Sequence, residues 1–275
     1  MSRSVGAWNG SFDSGKRRTD GRSRSWLVTP GEALTPLTFA LLSTDNITYT
    51  LGTMQRKPQA SNKVRLRRAR TDIREALLES ALVEFGAKGF DGASTRAIAR
   101  RVEAHQPQIN YHFESKAALW TAAVDYLFGL LGEALEGVLP AKMTGVNVSQ
   151  LAAAFADAIR RFVGFAAEHP ELNQIMVHEG SAASDRLAWM AETHVKPFFD
   201  GIRPAWQMLR DAGIAAPIDN EILYYVLVGA ASLPYVNAPE VRLLTGRDPT
   251  SPEWIRAHAD GLVAILLPRL SAGTS

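Results

Sequence analysis

The sequence predicts an all-α protein: a small N-terminal helical domain, then a larger helical body. Three observations predict it. From Thr71 onward, apolar residues recur at spacings of three and four. No alternating apolar/polar run suggests a strand. Pro and Gly punctuate the chain where helices of ordinary length would end. Of the 275 residues, 46% are hydrophobic and 21% charged, enough for a sizeable core, which excludes wholesale disorder. The lack of cysteine excludes a disulfide-stapled scaffold, a zinc finger and thiol catalysis.

The formal charge of +2 hides an asymmetry. Residues 1–68 carry 12 Lys/Arg against 4 Asp/Glu, net +8; residues 69–119 balance at 7 and 7; residues 120–275 carry 11 against 17, net −6. A basic arm, a neutral middle and an acidic body imply three parts with different tasks. Residues 1–68 are aperiodic and rich in Gly, Ser, Thr, Arg and Pro, the composition of a disordered arm, and Met54 is an alternative start. The apolar patch at 36–42 is too short for a membrane span, and Pro30 and Glu32 spoil a signal-peptide core. A cytoplasmic protein without a membrane partner is expected.

The first helix is expected from about Asp72 to Lys88, with Ile73, Ala76, Leu77, Ala81 and Phe85 on one stripe. Thr71 is its expected N-cap, and Gly89 its left-handed stop. Ser94 should cap a second helix and Pro107 should open a short third. Further helices follow: Lys116–Val138, Ser149–Glu168, Glu171–Glu179, and a stretch over 183–212 interrupted by Pro197 and Pro204. Asp219 should cap an apolar helix through Leu233. A short piece at Val241–Leu244 and a final helix at Pro252–Leu267 complete the chain.

The informative segment is Thr71–Leu119. Two short helices joined tightly at Glu103-Ala104-His105 have the proportions of a helix-turn-helix, whose second helix fits a major groove. Its polar residues, Gln106, Gln108, Asn110, Tyr111 and His112, suit base edges and phosphates. Three short helices alone occur in many proteins that never touch DNA.

Gly89-Phe90-Asp91-Gly92-Ala93-Ser94-Thr95-Arg96-Ala97-Ile98-Ala99, followed by Ile109-Asn110-Tyr111-His112-Phe113-Glu114-Ser115-Lys116-Ala117-Ala118-Leu119, resembles the DNA-binding domain of TetR-family transcriptional regulators over about fifty residues. The resemblance implies a DNA-binding regulator rather than an enzyme. Its DNA contacts would come from Ser94, Thr95, Arg96, Gln106, Gln108, Asn110, Tyr111, His112 and Lys116. Tyr111, His112 and Lys116 match phosphate positions, and Gln106 and Gln108 base-reading positions. Asn110 suits either. Glu103 departs from the family's usual Gly in the turn, and Glu tolerates a left-handed conformation poorly.

The body carries no Gly-Xaa-Ser-Xaa-Gly, phosphate loop or His-Glu-Xaa-Xaa-His. His178-Glu179 and Glu192-Thr193-His194 could supply metal ligands, but satisfied core or surface histidines account for them better. No metal or cofactor is expected. The resemblance implies a pocket for a small effector. Phe162, Phe165, Met176, Trp189, Phe198 and Trp206 are its expected apolar lining, with Asn173, His178 and His194 as polar anchors; a solid core is the alternative for these side chains. The resemblance also implies a homodimer through the last two long helices, with Tyr224, Tyr225, Leu227, Val228, Trp254, Leu262, Ile265 and Leu266 as contacts. A central helix in a monomer core is the rival reading. The expected partners are double-stranded operator DNA, a small apolar or aromatic effector and a second copy. A protein acting mainly through protein partners, with DNA as scaffold, is the alternative function.

Overall fold

The computed structural model describes residues 59–270, with side chains from residue 73. The Met54 start and most of the 1–68 arm lie outside the described residues. Those described form α-helices joined by short loops, with no strand among them.

The first helix, α1 (Gln59–Gly92), begins earlier than expected. It runs straight through Thr71, so the boundary between residues 68 and 69 falls inside a helix. The reason is local: residues 59–70 hold no Gly or Pro and are rich in Arg, Lys, Ala and Leu, all good helix formers. Gly89 breaks it as expected in the sign of φ (66°), but its ψ of 176° is extended rather than left-handed helical, and one more turn follows. Leu77, Leu78, Ala81, Leu82 and Phe85 form the buried stripe.

Next come α2 (Thr95–Arg101), α3 (Gln106–His112) and α4 (Lys116–Leu135), capped at their starts by Ser94, His105 and Ser115. Both serines accept a first-turn N–H, from Ala97 and Ala118. The body holds α5 (Val148–Glu168), α6 (Glu171–Gly180), α7 (Asp185–Met190), a π-helical turn (Ala191–Val195) and α8 (Lys196–Asp211). The expected break at Pro197 is this wide turn, which leads into α8 with Pro197 in its first turn, where the missing N–H costs nothing. Pro204 sits inside α8.

Then come α9 (Asn220–Val236), α10 (Ala238–Thr245) and α11 (Pro252–Leu266). Asp219 occupies the N-cap of α9, but its carboxylate accepts from Arg210 (2.8 Å) instead of from the helix. The expected stop before Pro234 is overrun by one turn. Pro234 cannot donate to the Ala230 carbonyl four residues back. His258 on α11 donates Nε2–H to that carbonyl instead (3.0 Å), and Tyr235 donates its hydroxyl to the opposite ring nitrogen (2.9 Å). A tertiary contact therefore repairs the hydrogen bond that proline removes.

The core is continuous from the first helices into the body. α1 packs on α2, α4 and α6, and α5 packs on α4, α9 and α11. Gly86 permits the closest approach: a Cβ there would stand 2.7 Å from Gln174 Oε1 and 3.0 Å from the Glu171 Cβ. By length and composition α4 could cross a membrane. Here its Leu119, Trp120, Ala123, Val124, Leu127 and Leu131 are core residues.

Candidate functional site

The first candidate surface is built by α2, its turn and α3. The N–H of Glu103 bonds the Arg100 carbonyl (3.2 Å) and that of Ala104 bonds the Ala99 carbonyl (2.9 Å). This pair of bonds ends a helix through a left-handed residue at C′. That residue is Glu103, with φ 54°, so the turn keeps its geometry without glycine. Ile98, Ile109 and Phe113 are buried beneath the two helices, and α2 packs on both α1 and α3.

On the outer face, Tyr111 is 68% exposed, and Gln106 and Asn110 are exposed. The T-shaped Tyr111–His112 pair lies at 5.1 Å between ring centroids. Two of the predicted contact residues have structural duties the sequence did not show. Gln106 Oε1 accepts from Arg96 Nε (3.0 Å), linking α2 to α3. Gln108 Oε1 accepts the His105 N–H (2.8 Å), closing the start of α3 and leaving its amide NH2 and one Oε1 lone pair to read a base. Lys116 bonds the Asp91 carbonyl (3.2 Å) and lies over the Phe90 ring (5.0 Å).

Beneath this surface sits Glu84, a buried carboxylate that sequence reading passed over. It accepts from Lys88 (2.8 Å), Arg101 (3.2 Å) and the Ser94 N–H (3.3 Å). Burial raises its pKa, but these hydrogen bonds outweigh burial and hold it below the usual carboxylate range. Glu84 thus ties both ends of α2 to α1. It also occupies the Ser94 N–H, which removes that donor from any phosphate contact at the start of α2. Thr95 and Arg96 supply the remaining first-turn N–H groups.

The second candidate site is a cavity of about 430 Å³ in the body. Phe128, Leu131 and Leu135 of α4 form one wall, and Phe155, Ile159 and Phe162 of α5 another. Thr193 and His194 of the π turn, with Pro197, Phe198 and Ile202 of α8, complete it, and Leu227 of α9 closes the inner end. Of the predicted lining residues, Phe162, His194 and Phe198 are present. Asn173 and Met176 line a side crevice of about 20 Å³ that shares Phe162 and Phe198 with the cavity.

Four predicted lining residues lie elsewhere. Phe165 is buried against His169 (4.5 Å between ring centroids). His178 lies against Gly89. Trp189 packs edge-on to Trp120 (5.5 Å). Trp206 is core, donating its N–H to the Ile218 carbonyl (2.9 Å). The α4 wall was missed, although Phe128, Leu131 and Leu135 stand at helical spacing; nothing local marks which partner their face meets. Among the described residues no three metal-binding side chains gather.

The third feature is an apolar outer face on α9 and α11. Tyr225 (75% exposed) and Ile265 (66%) lie on it, with Ile222, Val226 and Leu233 beside them. Tyr224, Leu227, Leu262 and Leu266 are buried within the chain's own core, which takes them out of the predicted contact set. Val228 and Trp254 are half-buried. A helix apolar all round serves two sides: here one packs on α5 and the other faces outward.

Residues 77–123 match the family model of bacterial regulatory proteins, tetR family. No curated protein gives a significant sequence match. Among solved structures, the chain is similar to AibR in complex with isovaleryl coenzyme A and operator DNA (20% identity, 71% of this chain and 98% of that one, TM-score 0.55). It is also similar to apo AibR (17%, 71% and 98%, TM-score 0.53). The ketosteroid transcriptional regulator KstR2 of Mycobacterium tuberculosis is a third (16%, 71% and 93%, TM-score 0.55). At these identities the likeness is one of fold.

Proposed function

We propose, from the match of residues 77–123 to the tetR-family model, that the chain is a TetR-family transcriptional regulator, a homodimeric, cytoplasmic repressor that a small apolar or aromatic molecule releases from its operator. The carrying observation is the placement of the cavity: α4 begins at Lys116, directly after the recognition helix α3, and its Phe128, Leu131 and Leu135 form a cavity wall. Filling the cavity acts on the same rigid helix that carries α3.

In this reading α3 enters the major groove. Asn110, Tyr111 and the free amide of Gln108 face base edges and phosphates, with Gln106 held in place by Arg96. Thr95, Arg96, His112 and Lys116 contact the backbone. The outward faces of α9 and α11 bring two copies together, so that two recognition helices meet successive grooves of a near-palindromic site. An effector that binds one dimer geometry better than the other shifts operator affinity by linkage. The AibR match, solved with both isovaleryl coenzyme A and operator DNA, supports a fold that can take a small molecule and DNA together.

Genome-wide mapping of bound DNA tests the reading, followed by release assays at the sites found. A short inverted repeat protected near a promoter, and freed by a cavity-binding compound, is the expected result. Binding that tracks only with a protein partner would replace it with the scaffold function.

A further inference from the structure

The cavity is apolar except at one corner, and that corner is assembled rather than incidental. Among the described residues its lining includes no Lys, Arg, Asp or Glu, and polar side chains come only from Thr193 and His194, adjacent on the π turn. The His194 ring is held on three sides. It stacks on Phe128 at 4.6 Å between centroids with planes 7° apart, and meets Trp189 edge-on at 5.3 Å. Its Nε2 lies 2.9 Å from Asp125 Oδ1 on α4.

The third contact sets the chemistry. A carboxylate only accepts, so Nε2 carries a hydrogen, and in the neutral form of the ring that leaves Nδ1 as a bare acceptor. Among the described residues no group hydrogen-bonds that nitrogen. A ligand carbonyl or ether oxygen has nothing to donate to it. A ligand carboxylate finds no Lys or Arg in the lining among the described residues. A ligand hydroxyl fits, since it donates to Nδ1 while its oxygen stays within the reach of a hydroxyl such as that of Thr193.

We propose that the cavity takes an uncharged, largely apolar alcohol or phenol whose hydroxyl donates to His194 Nδ1, with Asp125 as the residue that positions the ring. This rests on the reading of the cavity as the effector site. Because Asp125 stands on α4 nine residues beyond Lys116, the hydroxyl is also the part of the ligand tied most directly to the helix that carries α3.

The test is calorimetric titration of the full chain with 4-heptylphenol, its methyl ether and 4-heptylbenzoate. The phenol should bind about tenfold more tightly than the ether, the usual worth of one buried hydrogen bond. In His194→Phe, which keeps the stack on Phe128, the phenol should weaken about tenfold and the ether should be unchanged. In the natural chain, the ring-nitrogen NMR signal of Nδ1 should shift with the phenol and not with the ether. Equal binding of phenol and ether to the natural chain, or tighter binding of the benzoate, overturns the hydroxyl assignment and leaves the cavity reading standing. Binding of none of the three overturns both.

Discussion

Glu103 holds a backbone conformation that glycine adopts freely and a side chain with Cβ adopts at a cost of roughly 1–2 kcal/mol. Part of that cost is offset, because glycine loses more chain entropy on folding, by about 0.5–1 kcal/mol. Glu103→Gly should therefore stabilise the chain by up to about 1 kcal/mol in a denaturant titration. It should also strengthen binding to any duplex at low salt, since a negative charge beside the phosphate backbone is removed. Loss of stability in this variant would mean that the turn derives support from the Glu side chain.

His258 is a second residue whose role is physical rather than chemical. Burial lowers its pKa, with the Ala230 carbonyl pulling the other way. Burial also pushes the Tyr235 phenol up to about 12, so it remains a donor to the neutral ring. A base whose folded pKa lies below its unfolded value stabilises the fold fully above about pH 6.5 and loses that contribution as pH falls. The melting temperature of the natural chain should drop between pH 7.5 and 5.5. His258→Gln, which does not titrate, should show a shallower drop; identical slopes would remove His258 from the account.

At the scale of elements, the close contact of α1 with α6 depends on Gly86. A methyl group there meets the Gln174 side chain and the Cβ of Glu171. Gly86→Ala should cost about 1–3 kcal/mol as α6 is pushed away, despite the better helix propensity of alanine. The control is Gly132→Ala in α4, where an added Cβ meets nothing within 4 Å and propensity alone should act. If both variants melt together, the α1–α6 contact is looser than described. Charge pairs reinforce this neighbourhood. Arg186 bonds buried Glu179 (3.1 Å) and lies 4.0 Å over the Phe90 ring, joining α7 to the end of α1.

For the whole molecule, the proposed dimer rests on the exposed apolar face of α9 and α11, where Tyr225 and Ile265 stand largely outside the chain's own core. Ile265→Arg should leave the melting of the monomer fold nearly intact while raising the dimer dissociation constant by a factor of at least ten, read by sedimentation velocity. Leu266→Arg is the contrasting variant: it places an unpaired charge in the core and should unfold the chain. A natural chain that sediments as a monomer at micromolar concentration would refute the dimer.

Much of the fold is legible in the sequence because its signals act within a turn or two. Ser94 caps the helix that follows it, and the two segments Gly89–Ala99 and Ile109–Leu119, within a few turns of each other, mark the helix-turn-helix. What only the tertiary structure decided is how distant segments meet. His194 reaches Asp125 across 69 residues, and His258 mends the Ala230 carbonyl across 28. The α4 wall of the cavity, and the split of α9 into core and outward faces, are likewise set by the neighbours each helix packs against. Helical periodicity says which residues share a face; packing alone says what that face meets, because apolar attraction carries no direction.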